Sequence, residues 1–331
     1  MKRLIAYLLC LITAFSLCAC GSNTAEPSEP TTEPRPTQSS EEQQVEKILI
    51  IGNSHSGDTF WLLQEVFDAH YEGQIRLGYL YYSGCTIAQH VKFSSNNEPV
   101  YIYRTITNGE DNWTEVRDAT MEYALKDQQW DVIVLQGAGA DRKKDQYNLA
   151  DRRTLEAYVE KYVAQPFTFI WNSTWANPND GPVFAPDWPV QPPAGYVDNL
   201  KNSYGWDAKV QFSGVISAMN DYIVTDNTYT KVLSPGTAIM QAVFMQERPQ
   251  TEIYRDYTHL TDFARLMASY AFFTQYTGQK VDEIKIDTIP AGLRIPRYQG
   301  EGELIITDEM KAIILEAVNY AFDNTFTVPS K

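Results

Sequence analysis

Cysteine and histidine are scarce in this 331-residue chain, with four of each. Cys10, Cys18 and Cys20 stand near the N-terminus, which leaves Cys85 alone in the remainder and excludes an intramolecular disulfide there. The histidines, His55, His70, His90 and His259, have no metal-ligand spacing, so neither a metal nor another cofactor is expected. Positive charge is the minority: 27 Lys and Arg against 42 Asp and Glu, a net charge of -15. A surface that acidic repels phosphate and argues against a nucleic-acid partner. Long apolar runs are confined to one segment, Leu4 to Ala19, which is short for a bilayer span. Apolar residues nonetheless make up 44 % of the chain, enough to fill a sizeable core.

That apolar segment follows Lys2 and Arg3, the layout of a secretory signal. It ends in Leu17-Cys18-Ala19-Cys20, followed by Gly21-Ser22, which resembles a bacterial lipobox. The resemblance implies cleavage before Cys20, lipid on its sulfur and an extracytoplasmic protein anchored to a bacterial membrane. A plain signal peptide that happens to contain cysteines is the alternative. Residues 20–45 carry Pro27, Pro30, Pro34 and Pro36 among Ser, Thr and Glu. Such a segment buries too little surface to offset its ordering entropy and reads as a tether. The expected organisation is therefore a signal peptide at 1–19, a lipidated tether at 20–45 and one domain at 46–331.

Within that domain, Lys47 to Gly52 and Asp131 to Leu135 are continuous apolar runs of the kind found in strands buried on both faces. Further strands are expected at Gln74 to Tyr82, Phe167 to Trp171 and Lys231 to Leu233, with a hairpin arm at Val100 to Thr107. Helical spacing marks Asp58 to His70, Thr114 to Gln129, Leu155 to Val163, Val210 to Ile223, Thr237 to Gln246, Leu260 to Tyr276 and Thr307 to Phe322. A Pro-rich loop occupies 178–193. Short apolar strands alternating with helices predict an α/β fold, a three-layer α/β/α sandwich with a mainly parallel, flavodoxin-like sheet. In such sheets the site lies beyond the carboxyl ends of the strands.

The residues after the first run are Gly52-Asn53-Ser54-His55-Ser56-Gly57. Ser54 stands at a strand-to-helix turn, where it is either a nucleophile near a helix dipole or simply the cap of that helix. Near the C-terminus comes Tyr254-Arg255-Asp256-Tyr257-Thr258-His259-Leu260-Thr261. Asp256 can orient the His259 imidazole, which can then take a serine proton; a plain hydrogen-bonded pair is the alternative. Together the two segments resemble the SGNH, or GDSL-like, hydrolases, over Lys47 to about Gly278. Tyr82-Ser83-Gly84-Cys85-Thr86 and Leu135-Gln136-Gly137-Ala138-Gly139 stand where that family keeps an oxyanion-hole Gly and Asn. The resemblance implies an SGNH hydrolase fold, a Ser54–His259–Asp256 triad, and an oxyanion hole from the N–H groups of Ser54 and Gly84 and the amide of Gln136. Asn53 departs from the Asp of many relatives, and Gln136 from the usual Asn. With Trp130 to Gln136, Trp171 to Ala176 and Pro235 to Ala238, these departures look like a bacterial lipoprotein subfamily.

Asn53 and His55 adjoin the nucleophile and are candidates for substrate contact, with His55 equally a bystander. Trp171 and Trp175 either stack on a sugar ring or pack internally. Cys85 reads as a small buried thiol, and His70 and His90 as structural or exposed. The implied activity is hydrolysis of an ester, with O-acyl groups on surface carbohydrate as the expected substrate. Lipase or thioesterase action and a non-catalytic glycan-binding lipoprotein are the rivals.

Overall fold

The computed structural model describes residues 45–107, 109–110, 112–137, 148–179, 195–294 and 302–331. All belong to the unit Gln43–Lys331. The expected signal peptide, Cys20 and nearly all of the tether lie outside the described residues. So do Ala138 and Gly139 of the third block and most of the Pro-rich loop.

Seven strands form the central sheet: β1 (Val45–Gly52), β2 (Gln74–Tyr81), β3 (Tyr101–Thr107), β4 (Thr114–Ala119), β5 (Val132–Gln136), β6 (Thr168–Asn172) and β7 (Tyr229–Leu233). Their order is β4-β3-β2-β1-β5-β6-β7. The five strands from β2 to β7 in that order run parallel, and β3 and β4 pair antiparallel at one edge. Counted among the parallel strands alone, the order is 2-1-3-4-5, the flavodoxin-like winding, whose switch point lies between its first and third strands, here β1 and β5. Ile48 to Ile51 of β1, Val132 to Leu135 of β5 and Phe169 to Trp171 of β6 are apolar and buried because both faces are covered.

Helices cover the sheet in two groups. α1 (Ser54–Phe60), α2 (Leu63–His70), α8 (Pro235–Phe244), α10 (Asp262–Thr277) and α11 (Asp308–Asp323) pack against one another around α10. α3 (Ile87–Ser95), α4 (Met121–Asp127) and α5 (Leu149–Tyr162) form the other group. α6 (Tyr196–Tyr204), α7 (Ala208–Tyr222) and the short α9 (Gln250–Ile253) are the other α-helices among the described residues. A two-stranded ribbon, β8 (Thr288–Ile289) with β9 (Leu304–Ile305), precedes α11.

Two sequence expectations need correction. Residues 58–70 form α1 and α2, separated at Trp61-Leu62, rather than one helix. Residues 114–129 are not one helix either: Thr114–Ala119 is an edge strand and only Met121–Asp127 is helical. The charged stretch Thr114 to Ala119 has little intrinsic strand preference. Pairing decides its state: Glu115 receives Arg104 across the strands at 2.6 Å, and Thr105 and Thr114 share a hydroxyl hydrogen bond of 2.5 Å. Thr120 then caps α4, its side chain accepting from the Tyr123 N–H.

Pro235-Gly236 opens α8 against the backbone after β6. A Cβ on Gly236 would lie 2.2 Å from the Thr174 carbonyl oxygen and 3.0 Å from Trp175 Cα. Backbone cannot step aside as a flexible side chain can, so Gly236→Ala is expected to lower the unfolding free energy by about 2–3 kcal/mol, read by urea denaturation.

His90 is fully buried on α3, with its Nδ1 3.0 Å from the Tyr101 hydroxyl. Burial pushes its imidazole down to about 3 from an ordinary 6.5. Between those values the unfolded chain holds a proton on His90 that the folded chain does not. Stability therefore rises with pH across that window. Replacing the ring by a group that cannot titrate, His90→Phe, is expected to flatten this part of the stability–pH curve.

Candidate active site

Ser54 owes its position to the end of β1. Asn53 leaves the strand in an extended conformation and caps α1, its Oδ1 accepting from the His55 N–H at 3.0 Å. Ser54 is thus the first helical residue and not the cap, and its hydroxyl is left for another partner. A backbone N–H at this helical position has no intrahelical acceptor.

The partner comes from the segment before α10. His259 Nε2 lies 2.8 Å from Ser54 Oγ. On the other side of the ring, Nδ1 lies 2.7 Å from Asp256 Oδ2. Because Asp256 is an acceptor when ionised, Nδ1 carries the ring hydrogen, and Nε2 is left to accept from the serine hydroxyl. Burial alone would raise the Asp256 carboxyl. The His259 ring and the backbone N–H groups of His259 and Thr258 outweigh it and hold this carboxyl below the usual carboxylate range. The residues expected to act together, Ser54, His259 and Asp256, therefore form one continuous hydrogen-bonded chain.

The segment 254–260 is fastened from two directions. Trp175 Nε1 donates to the Thr258 carbonyl at 2.9 Å, and the Tyr254 hydroxyl donates to the Ala176 carbonyl at 2.8 Å. From α1, Asp58 receives the Leu260 N–H on Oδ2 at 2.9 Å and the Arg255 guanidinium on Oδ1 at 2.8 Å. Asp58 is 1 % exposed and lies one turn beyond Ser54, so a single carboxylate binds the serine's helix to the histidine's loop. It continues into a buried ion network, Arg265 with Asp262 at 2.6 Å and Asp262 with Arg294 at 3.1 Å.

Several expected site residues do something else. Gln136 is buried, and its amide faces inward: Nε2 donates to Asn53 Oδ1 at 3.2 Å and to the Gly137 carbonyl at 3.0 Å, while Oε1 accepts from the Ser56 hydroxyl. Both amide hydrogens are committed, so Gln136 has none for an oxyanion, and that expected role is withdrawn. Asn53, 1 % exposed, is occupied with His55, Gln136 and, through Nδ2, the Cys85 carbonyl at 3.0 Å. His55 is buried against Trp175, its Nε2 3.1 Å from the Thr258 hydroxyl. Trp171 and Trp175 are each 1 % exposed. None of these four can meet substrate: Trp171 lies within β6 with its ring 5.3 Å from that of Tyr229, and Trp175 packs internally because the chain after β6 turns into the interior. Gly84 is exposed with φ +62°, a conformation that favours glycine, in the turn closed by the Cys85 N–H on the Tyr82 carbonyl. Its own N–H has no acceptor among the described residues. Burial pushes the Cys85 thiol up to about 12, which leaves it protonated and unreactive. Among the described residues no group of three His, Cys, Asp or Glu side chains is placed to hold a metal ion.

The cleft that reaches Ser54 encloses about 230 Å3. Its walls include Trp61, Tyr79, Tyr81, Arg104, Asp58 and Arg255. Sequence reading missed these residues. Trp61 and Tyr81 could have been sought as the residues ending α1 and β2, on the same sheet edge as Ser54. Arg104 had no such signal, because it arrives through the antiparallel β3.

Removing Asp58 would leave Arg255 and the Leu260 N–H without their shared acceptor. Asp58→Ala is expected to cost roughly 3–5 kcal/mol of stability in urea unfolding. Asp58→Asn, which keeps an acceptor for the N–H, should recover part of that loss.

Residues 47–184 match the profile of the family described as a domain of unknown function, DUF4886. Comparison with curated proteins finds no match. Among solved structures, a DUF4886 family protein from Bacteroides uniformis is similar over 87 % of this chain and 98 % of its own, with a TM-score of 0.69 and 23 % identity. The two share a fold. A candidate SGNH hydrolase from Slackia heliotrinireducens aligns over 70 % of this chain and all of its own, at 13 % identity and a TM-score of 0.39, too low to carry weight.

Proposed function

We propose that this chain is a serine esterase that transfers an acyl group from an ester to water. The reading rests on the hydrogen-bonded run from Ser54 through His259 to Asp256, opening onto a cleft walled by α1, β2 and β3. His259 Nε2 takes the Ser54 proton as Oγ attacks the ester carbonyl. The negative oxygen of the tetrahedral intermediate is held by the backbone N–H of Ser54, at the positive end of α1, and by the N–H of Gly84. His259 then returns the proton to the departing alcohol, and water repeats the sequence on the acyl-serine. Asp256 keeps the imidazole in the productive tautomer and stabilises it when charged.

The cleft bears on the substrate. It is small, and arginines, an aspartate and tyrosine hydroxyls line it, which suits a short acyl group on a polar alcohol. A long fatty acyl chain would need an apolar groove, so lipase action is disfavoured. We place the enzyme on a bacterial surface, held through lipid on Cys20, with O-acylated carbohydrate as its substrate.

Hydrolysis of p-nitrophenyl acetate, together with fluorophosphonate labelling, tests the reading. Ser54→Ala should abolish labelling and reduce kcat by about 10⁴-fold or more. Asp256→Asn, which permits the wrong tautomer, should reduce kcat by roughly 10³–10⁴-fold. An undiminished rate in Ser54→Ala, or failure of the wild-type protein to label, would overturn the esterase assignment and favour a glycan-binding lipoprotein.

A further inference from the structure

Trp61 belongs to two clefts. One contains Ser54; the other, of about 440 Å3, is lined by Trp61, Gln64, Glu65, Asp68, Glu110 and Trp113 among others. The second volume lies within the range of small-ligand sites, roughly 300–1,000 Å3. We propose that this second cleft is a subsite for a neutral sugar residue of the carbohydrate whose ester is cleaved at Ser54. The proposal rests on the esterase reading for the reacting end of the substrate, and it adds what the enzyme holds beyond that end.

Three observations carry it. The first is a rigid aromatic corner. Trp61 and Trp113 meet edge to face, with ring centroids 5.7 Å apart, and Trp113 is seated on Phe60 at 4.6 Å. Both tryptophans are only partly buried, so ring surface remains to meet the C–H face of a sugar. The second is an unused acceptor. Gln64 is 2 % exposed, and its Nε2 donates to Asp68 Oδ1 at 2.9 Å. Its Oε1 has no donor among the described residues. A buried acceptor left unpaired is costly, and a ligand hydroxyl would satisfy it once the Gln64 amide turns toward the cleft.

The third is charge. Glu65, Asp68 and Glu110 give this wall three carboxylates, beside the Asn112 amide. Such a wall selects a ligand rich in O–H donors and repels uronate or phosphate. The Arg104 guanidinium already lies over Trp61, 5.0 Å from its centroid, so a cationic ligand gains no cation–π contact with that ring and has only the carboxylates to attract it. A neutral, hydroxyl-rich ring satisfies all three conditions. Trp61, common to both clefts, puts that ring next to the sugar bearing the acyl group.

Titration of the full-length protein with unacylated hexasaccharides, followed by tryptophan fluorescence and calorimetry, tests the subsite apart from catalysis. Xylohexaose, cellohexaose and mannohexaose are the neutral probes, and an oligogalacturonide of equal length is the anionic one. At least one neutral hexasaccharide should bind saturably to wild type and to Ser54→Ala, and at least tenfold more tightly than the oligogalacturonide. Trp113→Ala should weaken that binding at least tenfold. Since Trp113 also packs on Phe60, Asp68→Asn provides a rim variant that removes the charge, keeps an acceptor for the Gln64 amide and should weaken binding several-fold. Absence of saturable binding by any neutral hexasaccharide would overturn the subsite, as would equal binding of the oligogalacturonide or undiminished binding by both variants. Fluorophosphonate labelling separates the two ideas: a labelled Ser54 without oligosaccharide binding removes the subsite alone, and binding without labelling removes the esterase alone.

Discussion

The Asp58 carboxylate is the contact on which the site depends. Ser54 on one helix and His259 on a loop some two hundred residues later are brought together by the fold only approximately. Hydrogen-bond distance between Ser54 and His259 demands that α1 and the segment before α10 be fixed to each other within fractions of an ångström. Asp58 provides that fixation with both of its oxygens: one holds a backbone N–H of the loop, the other an arginine of the same loop. Its burial makes the arrangement demanding as well as firm, since a buried charge is tolerated only with its partners in place. Arg265, Asp262 and Arg294 extend the same condition along α10 to the residues after β8.

A second, uncharged device sets the strand ends. Asn53, Gln136, Ser56 and the Cys85 carbonyl share one hydrogen-bonded cluster, and the Tyr79 hydroxyl donates to the Asn53 carbonyl at 2.5 Å. The cluster joins the carboxyl ends of β1, β2 and β5, the three strands around the switch point. Gln136 is therefore better understood as a brace under the nucleophile turn than as a group facing substrate. Its extra methylene relative to Asn lets the amide fold back beneath Asn53.

Much of this was legible in the sequence, for a physical reason. Runs such as Ile48 to Ile51 and Val132 to Leu135 are apolar on both faces only when a sheet is covered on both sides. Their alternation with helical spacing then leaves little choice of architecture. Ser54, Asp256 and His259 were singled out through their resemblance to the SGNH hydrolases; their places after an apolar run and before a long helix were by themselves equally those of a helix cap and a hydrogen-bonded pair. Other features were hidden because contact rather than composition decides them. The strand Thr114–Ala119 exists through its pairing with β3. Trp171 and Trp175 have the same chemistry whether they face a sugar or the core, and only the burial of β6 and the course of the chain after it distinguish the cases. Asp58 was passed over because nothing local marks a helical aspartate as the acceptor for a loop so remote. Arg104, Trp61 and Trp113 converge only once the antiparallel hairpin is attached to the edge of the parallel sheet.

The arginines beside Ser54 are matched by the protein's own carboxylates, Arg104 by Glu115 and Arg255 by Asp58. The cleft at the serine thus presents oriented dipoles and almost no surplus charge, so a molecule arriving there is neither drawn in nor turned away by its ionic state. Discrimination by charge is left to the acidic surface farther out, and chemistry and sorting become properties that can evolve separately on the same scaffold.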